Sequence, residues 1–150
     1  MPYLADIARL ERWRVSAYHV ADVPPLNREQ IAAVLSAPSV LNELHIGFHP
    51  SLGLLNSAFA VVAIWAAHQQ GATLAGIDPY KGQNALVLRN GLEVEIFDIG
   101  DGACAFIHYL LNGQSLTQAL ETAPIFDLSQ TLAPLIRHNA ITHLHLKVSP

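Results

Sequence analysis

The chain has 150 residues, of which 51% are apolar and only 13% charged, and its formal net charge is −4. That length fits one domain, or one domain with a helical extension, and so apolar a composition excludes the polar, highly charged mix of a disordered segment. An acidic balance also argues against nucleic acid as a partner.

The longest apolar run, Ala58 to Ala67, is about half of the roughly 20 residues that a membrane span needs. No secretory signal pattern opens the chain, so a cytoplasmic protein with no membrane partner is expected. The single cysteine, Cys104, excludes an internal disulfide and a cysteine-based zinc cluster. It lies in an apolar helical pattern and reads as a small buried hydrophobe.

Between Tyr3 and Ala21, the residues Tyr3, Ile7, Leu10, Trp13, Ala17 and Val20 recur at spacings of three or four, which predicts a helix ending before Pro24-Pro25. Asn27 is a suitable N-cap for a short helix to Leu35, with Gln30 completing a capping box. In Leu44–Phe48 the alternation puts Leu44, Ile46 and Phe48 on one strand face, with His45 and His49 on the other. A short strand over Leu52 to Leu55 and a helix over Ala58 to Gln70, apolar almost all round and hence buried, follow. The loop Gly71 to Gln83 is rich in glycine and marks the expected boundary between a helical and strand subdomain at 1–70 and a second subdomain at 84–150.

Asn90-Gly91 lies between two strand-like runs and predicts a type I′ hairpin turn. The register that follows pairs Arg89 with Leu92, Val87 with Val94 and Ala85 with Ile96. Ala85, Val87, Leu92, Val94 and Ile96 then form the core face, and Leu86, Leu88 and Phe97 share the opposite face with Glu93 and Glu95. Three helical patterns follow Asp101. Ser115 and Asp127 are suitable N-caps for the second and third, and Pro134 predicts a kink or a late start in the third. "AITHLHLK" closes the chain as an alternating strand. The expected fold is α+β: a helical segment with a short strand or hairpin, then a winged-helix-like half of hairpin, three helices and terminal strand.

A winged helix raises the alternative of a DNA-binding transcriptional regulator. Its charge is wrong for that task. From Asn84 to Lys147 three basic residues face six acidic ones, and no Lys or Arg occurs between Ser115 and Ala133, where a recognition helix would lie. Arg9, Arg12 and Arg14 form the basic cluster, and a solvated helix face accounts for them.

Eight histidines invite a metal hypothesis, with His45 and His49 on one strand face and His143 and His145 on another. No ordered ligand motif such as H-E-x-x-H accompanies them, so a resident catalytic metal is not expected. Glu93 and Glu95 lie two apart on one strand face, as solvated strand residues do more often than catalytic pairs. There is no G-x-S-x-G elbow, no glycine-rich phosphate loop and no base readable beside Cys104. No catalytic residue is therefore expected. What remains is a sheet edge, to which an extended peptide can add as a further strand.

Two resemblances bear on that edge. The run "ALVLRNGLEVEIFDIGDGACAFIHYLLNGQSLTQAL" resembles the PqqD-like recognition elements that hold the leader of a ribosomally synthesised peptide while another enzyme modifies it. The segments "YLADIARLERWRVSAYHVAD", "LHIGFHPSLGLLNSAFAVVAIWAAHQ" and "ALVLRNGLEV", in that order, resemble the C-terminal region of the HvfC/BufC family. Those are MbnC-like partner proteins of multinuclear non-haem iron oxidases, formerly described as DNA-binding. The helical N-terminal domain typical of the family is missing here, so the resemblance implies a short member or a fragment.

The resemblance implies a non-catalytic adaptor that binds a precursor's leader and presents the peptide to a separate iron oxidase, which modifies its cysteines. The two proteins would form a heterodimer or a larger complex, with the iron in the partner and no cofactor in this chain. Peptide contacts are then expected at Leu86, Leu88, Glu93, Glu95 and Phe97, with the leader beside the sheet and against the helix after the hairpin or the third helix. Partner contacts are expected at His45, His49, Arg9 and Arg12.

Overall fold

A computed structural model describes residues 1–37 and 42–146. The protein is α+β, with six helices and five strands among those residues: α1 (Leu4–His19), α2 (Arg28–Leu35), β1 (Leu44–Phe48), β2 (Gly53–Ser57), α3 (Val61–Gln69), β3 (Gln83–Asn90), β4 (Glu93–Ile99), α4 (Asp101–Leu111), α5 (Leu116–Thr122), α6 (Leu128–Arg137) and β5 (Ile141–Leu146). The chain forms two compact units that interleave in sequence. The first comprises Met1–Val20 and Ser51–Gly100, and the second Ala21–Pro50 and the chain from Asp101 onward. This division differs from a split at the loop 71–83, which lies wholly inside the first unit.

In the first unit β2, β3 and β4 form an antiparallel sheet in that order, with Gly53 opposite Val87 and Val87 opposite Ile96. Ala85 and Val87 pack with Leu10 and Ala17 of α1, Leu55 of β2 and Val61 of α3, and Val94 and Ile96 close the same cluster from the side. The two faces of the hairpin are those the alternation predicts. Its register is displaced: Asn90 pairs with Glu93, so Gly91 and Leu92 form the loop. Positive φ is found at Gly91 (66°) and not at Leu92, the pattern of a type II′ turn rather than type I′. Leu92, expected in the core, is 89% exposed at the loop tip.

Polar side chains fasten α1 to the unit. Ser57 Oγ donates to Asp6 Oδ2 at 2.6 Å, and Trp65 Nε1 donates to Glu11 Oε1 at 2.6 Å. Trp13 lies against Gly53, where a Cβ would fall 2.6 Å from the indole. The loop 71–83 contributes Leu74 and Ile77 to a second cluster around Tyr3, Ala60 and Ile64. It is a packed covering, and glycine richness alone did not make it a boundary.

In the second unit β1 pairs antiparallel with β5, from Leu44 opposite Leu146 to Phe48 opposite Ile141, with a bulge at Gly47/Phe48. Helices α4 and α5 pack against β1. Phe106 of α4 is fully buried and its ring lies 5.0 Å from that of Phe126. Gly102 permits that approach, since a Cβ there would meet Phe126 Cβ at 2.7 Å. The caps read from sequence are in place: Asn27 with Gln30 and Ser115 with Gln118 as capping boxes, and Asp127 accepting from the Gln130 amide. Pro134 does not delay α6, which starts directly after Asp127. Of the closing "AITHLHLK", Lys147 lies outside the described residues.

Candidate peptide-binding groove

The hairpin sets the geometry of the groove. Residues that close a two-residue loop exchange hydrogen bonds, and along an antiparallel ladder hydrogen-bonded pairs alternate with non-hydrogen-bonded ones. With Asn90 and Glu93 closing the loop, Val94, Ile96 and Asp98 direct their backbone N–H and C=O away from β3. Strand β4 is one of the two outer strands of the three. Among the described residues no strand pairs with that outer side.

Alongside it the C-terminal half of α1 and the start of β4 enclose an open groove of about 490 Å³, lined by Arg14, Val15, Tyr18, His19, Leu92, Glu93 and Val94. The lining is mixed, with the apolar side chains of Val15, Leu92 and Val94 beside the Arg14 guanidinium and the Glu93 carboxylate. Tyr18 is 59% exposed and Val15 52%, so α1 presents apolar surface here that its own core packing does not use. Arg89 holds the wall in position. It is buried on β3, and its guanidinium donates to Tyr18 O at 2.9 Å at the end of α1 while its amide donates to Ser51 Oγ at 3.0 Å. A cation on the last carbonyls of a helix is favoured by the aligned peptide dipoles.

A second depression of about 320 Å³ lies on α1, lined by Arg9, Arg12, Trp13 and Ser16. The arginine cluster is partly used internally: Arg9 pairs with Asp6 at 2.9 Å and Arg14 with Glu11 at 3.5 Å. Arg12 is exposed and has no acidic partner among the described residues.

The residues expected to touch peptide separate by strand. Leu86 and Leu88 are 3% and 1% exposed, so their side chains are core and do not offer a peptide contact. Glu93 is exposed at the groove, and Glu95 and Phe97 are half-buried on β4. Glu93 and Glu95 do share one face, as expected. The alternation correctly separated two faces but could not tell which was open, because a central strand is covered on both. Arg14, Val15, Tyr18, His19 and Leu92 were missed. Their signal was present in Val15 and Tyr18, which stand on α1 away from the Leu10 and Ala17 stripe.

Of the residues expected to meet a partner, His49 is buried at 7% exposure, so an open contact there is not available, while Arg9 and Arg12 lie together on α1. His45 stacks on His145 across the β1–β5 ladder, with ring centroids 5.4 Å apart. His143 exchanges a hydrogen bond with Thr142 Oγ1 at 2.8 Å. Among the described residues no three His, Cys, Asp or Glu side chains converge as a metal cluster. Cys104 is buried in α4, and burial, with the Asp101 carboxylate adding to it, pushes its thiol above the ordinary value of 9.0. Such a thiol is protonated and poorly nucleophilic at neutral pH.

No protein-family model matches the chain, and no curated protein does. Among the described residues no helix is long and apolar enough to cross a membrane.

Proposed function

We propose that the protein is a non-catalytic adaptor that binds a ribosomally synthesised precursor peptide as an added strand on β4 and presents it to a separate, cytoplasmic, multinuclear non-haem iron oxidase. The observation that carries this is the outer side of β4, with the backbone groups of Val94, Ile96 and Asp98 directed outward beside the α1 groove. Strand addition takes its affinity from main-chain hydrogen bonds and its specificity from pockets for alternate side chains. It requires neither the positive surface that phosphate binding needs nor a nucleophile. The resemblance of three sequence segments to the HvfC/BufC family supplies the oxidase, the iron and the cysteine-bearing peptide.

The groove is walled by α1, so the leader lies against the first helix rather than against α4 or α6. Arg9 and Arg12 stand on a separate part of α1 and serve the oxidase.

The test is co-expression of this protein with a multinuclear non-haem iron oxidase and a short cysteine-bearing precursor, both to be sought in neighbouring reading frames. A ternary complex and peptide modification that depends on this chain are expected. Asp98→Pro removes an outward N–H at an exposed edge position, where proline is tolerated without breaking the β3–β4 ladder; it should weaken leader binding about tenfold, one lost hydrogen bond. Modification that proceeds equally well without this protein would discard the proposal. So would a salt-sensitive, sequence-specific shift of duplex DNA.

A further inference from the structure

We infer that the segment taken up along β4 is one in which apolar side chains alternate with lysine or arginine, the apolar set turned towards α1 and the basic set towards the face of Glu93. This selection presupposes the strand addition proposed above and names the chemistry of the strand that is added. The sequence of β4, EVEIFDI, carries three carboxylates and no Lys or Arg. Val94 and Ile96 lie on the side where they pack with Leu10, Ala17, Ala85 and Val87, and alternation puts Glu93 and Glu95 on the other. A strand laid beside β4 presents its own side chains to each face in turn, directly opposite those of β4.

The charge of β4 is open to such a partner. Glu93 is exposed where the strand begins and belongs to no ion pair among the described residues. Asp98, also exposed, accepts from the neutral side-chain amide of Gln83 at 3.2 Å, which leaves its charge uncompensated. Glu95 is half-buried and adds to the negative potential of the Glu93 face without being needed as a contact. Opposite charges directly across a strand pair are favourable, and like charges are unfavourable. The α1 wall makes a different demand. It is lined by Val15, Tyr18 and His19 with the Arg14 guanidinium, so an apolar side chain turned to α1 meets Val15 and Val94, while a basic one meets apolar surface and a like charge. The two demands fix the facing of the added strand, since a slip of one residue would exchange every side chain between the faces.

The same charge disfavours the other occupant of an open edge, a second copy of this chain. Two β4 strands paired with each other would set carboxylates against carboxylates with no cation on either strand, and charged side chains on an edge strand are a common means of preventing such pairing.

The test uses the full isotope-labelled chain and three blocked synthetic peptides of seven residues, the length of β4, in which valine alternates with lysine, glutamine or glutamate. Amide shifts at Val94, Ile96 and Asp98 in nuclear magnetic resonance spectra report strand addition, and their titration gives the affinities. The lysine peptide should bind about two- to fivefold more tightly than the glutamine peptide for each opposed pair, and the glutamate peptide most weakly. The lysine advantage should shrink as salt rises. In Glu93→Gln the ratio of lysine to glutamine affinities should fall about two- to fivefold, a quantity that a general loosening of the fold does not move. Equal affinities for the three peptides, with the β4 amides shifted, overturn the charge selection and leave strand addition standing. Absence of β4 shifts with every peptide overturns both. Shifts at those amides that grow with protein concentration alone, accompanied by dimerisation, overturn the selection too, because a second copy then takes the edge.

Discussion

The two units are fastened by different means. The first is tied by long-range polar clamps, in which Asp6 reaches Ser57, Glu11 reaches Trp65 and Arg89 reaches the end of α1 at Tyr18. The second relies on local caps at Asn27, Ser115 and Asp127, on the Phe106–Phe126 ring contact and on one ladder between strands far apart in sequence. A clamp made of single hydrogen bonds sets a helix's position and so shapes the groove beside β4. A packed aromatic contact sets stability and leaves no opening. The groove beside β4 lies in the unit that carries these polar fastenings.

Cutting at each kind of fastening tests this contrast. The largest loss belongs to Phe106→Ala, since truncating a fully buried phenylalanine costs about 3–5 kcal/mol; far-UV circular dichroism during urea unfolding measures it. Both tryptophans, Trp13 and Trp65, lie in the first unit, so their fluorescence followed in the same titration reports that unit separately. Next is Arg89→Met, which leaves the Tyr18 carbonyl without its donor and should cost about 2–3 kcal/mol, as expected for a charge-assisted bond. It should also weaken leader binding, whereas Phe106→Ala should leave binding intact at temperatures where the chain is folded. Gly102→Ala forces a methyl into the Phe126 contact and should cost about 1–3 kcal/mol by overpacking, read from the thermal midpoint. Gly91→Ala at positive φ should cost about 1–2 kcal/mol, and Leu92→Ser beside it should change stability by less than about 0.5 kcal/mol.

The smallest effect concerns pH. The folded thiol of Cys104 ionises above its ordinary value of 9.0, so the unfolded chain releases that proton first as pH rises. The stabilisation is fully present below the ordinary value and is lost as pH climbs through the folded one. Unfolding free energies compared between the unsubstituted chain and Cys104→Ala across that alkaline range should show the extra decline in the former, with slow alkylation of the native thiol at neutral pH.

How much of this was legible beforehand varies with the range of the interaction responsible. The helices and their caps were, because the Asn27–Gln30 and Ser115–Gln118 boxes act between residues three apart. Hairpin faces were also legible, since alternation is unaffected by a register shift of two. The turn type and register were not, because Asn-Gly is compatible with more than one placement and the pairing of Val87 with Ile96 decided it. The groove was hidden because Val15 and Tyr18 lie outside the apolar stripe of α1, and only the docking of that helix through Asp6, Glu11 and Arg89 brings them beside β4.

By itself the sequence determined the α+β character, the order of elements and most caps, all consequences of periodicity and hydrogen bonds within a few residues. Tertiary structure alone decided that β1 pairs with β5, that the units interleave, that Leu86 and Leu88 are core, and that His45 meets His145. Each of these joins residues separated by tens of positions or reflects burial on two sides, and the energies that select them arise only when distant surfaces leave water together.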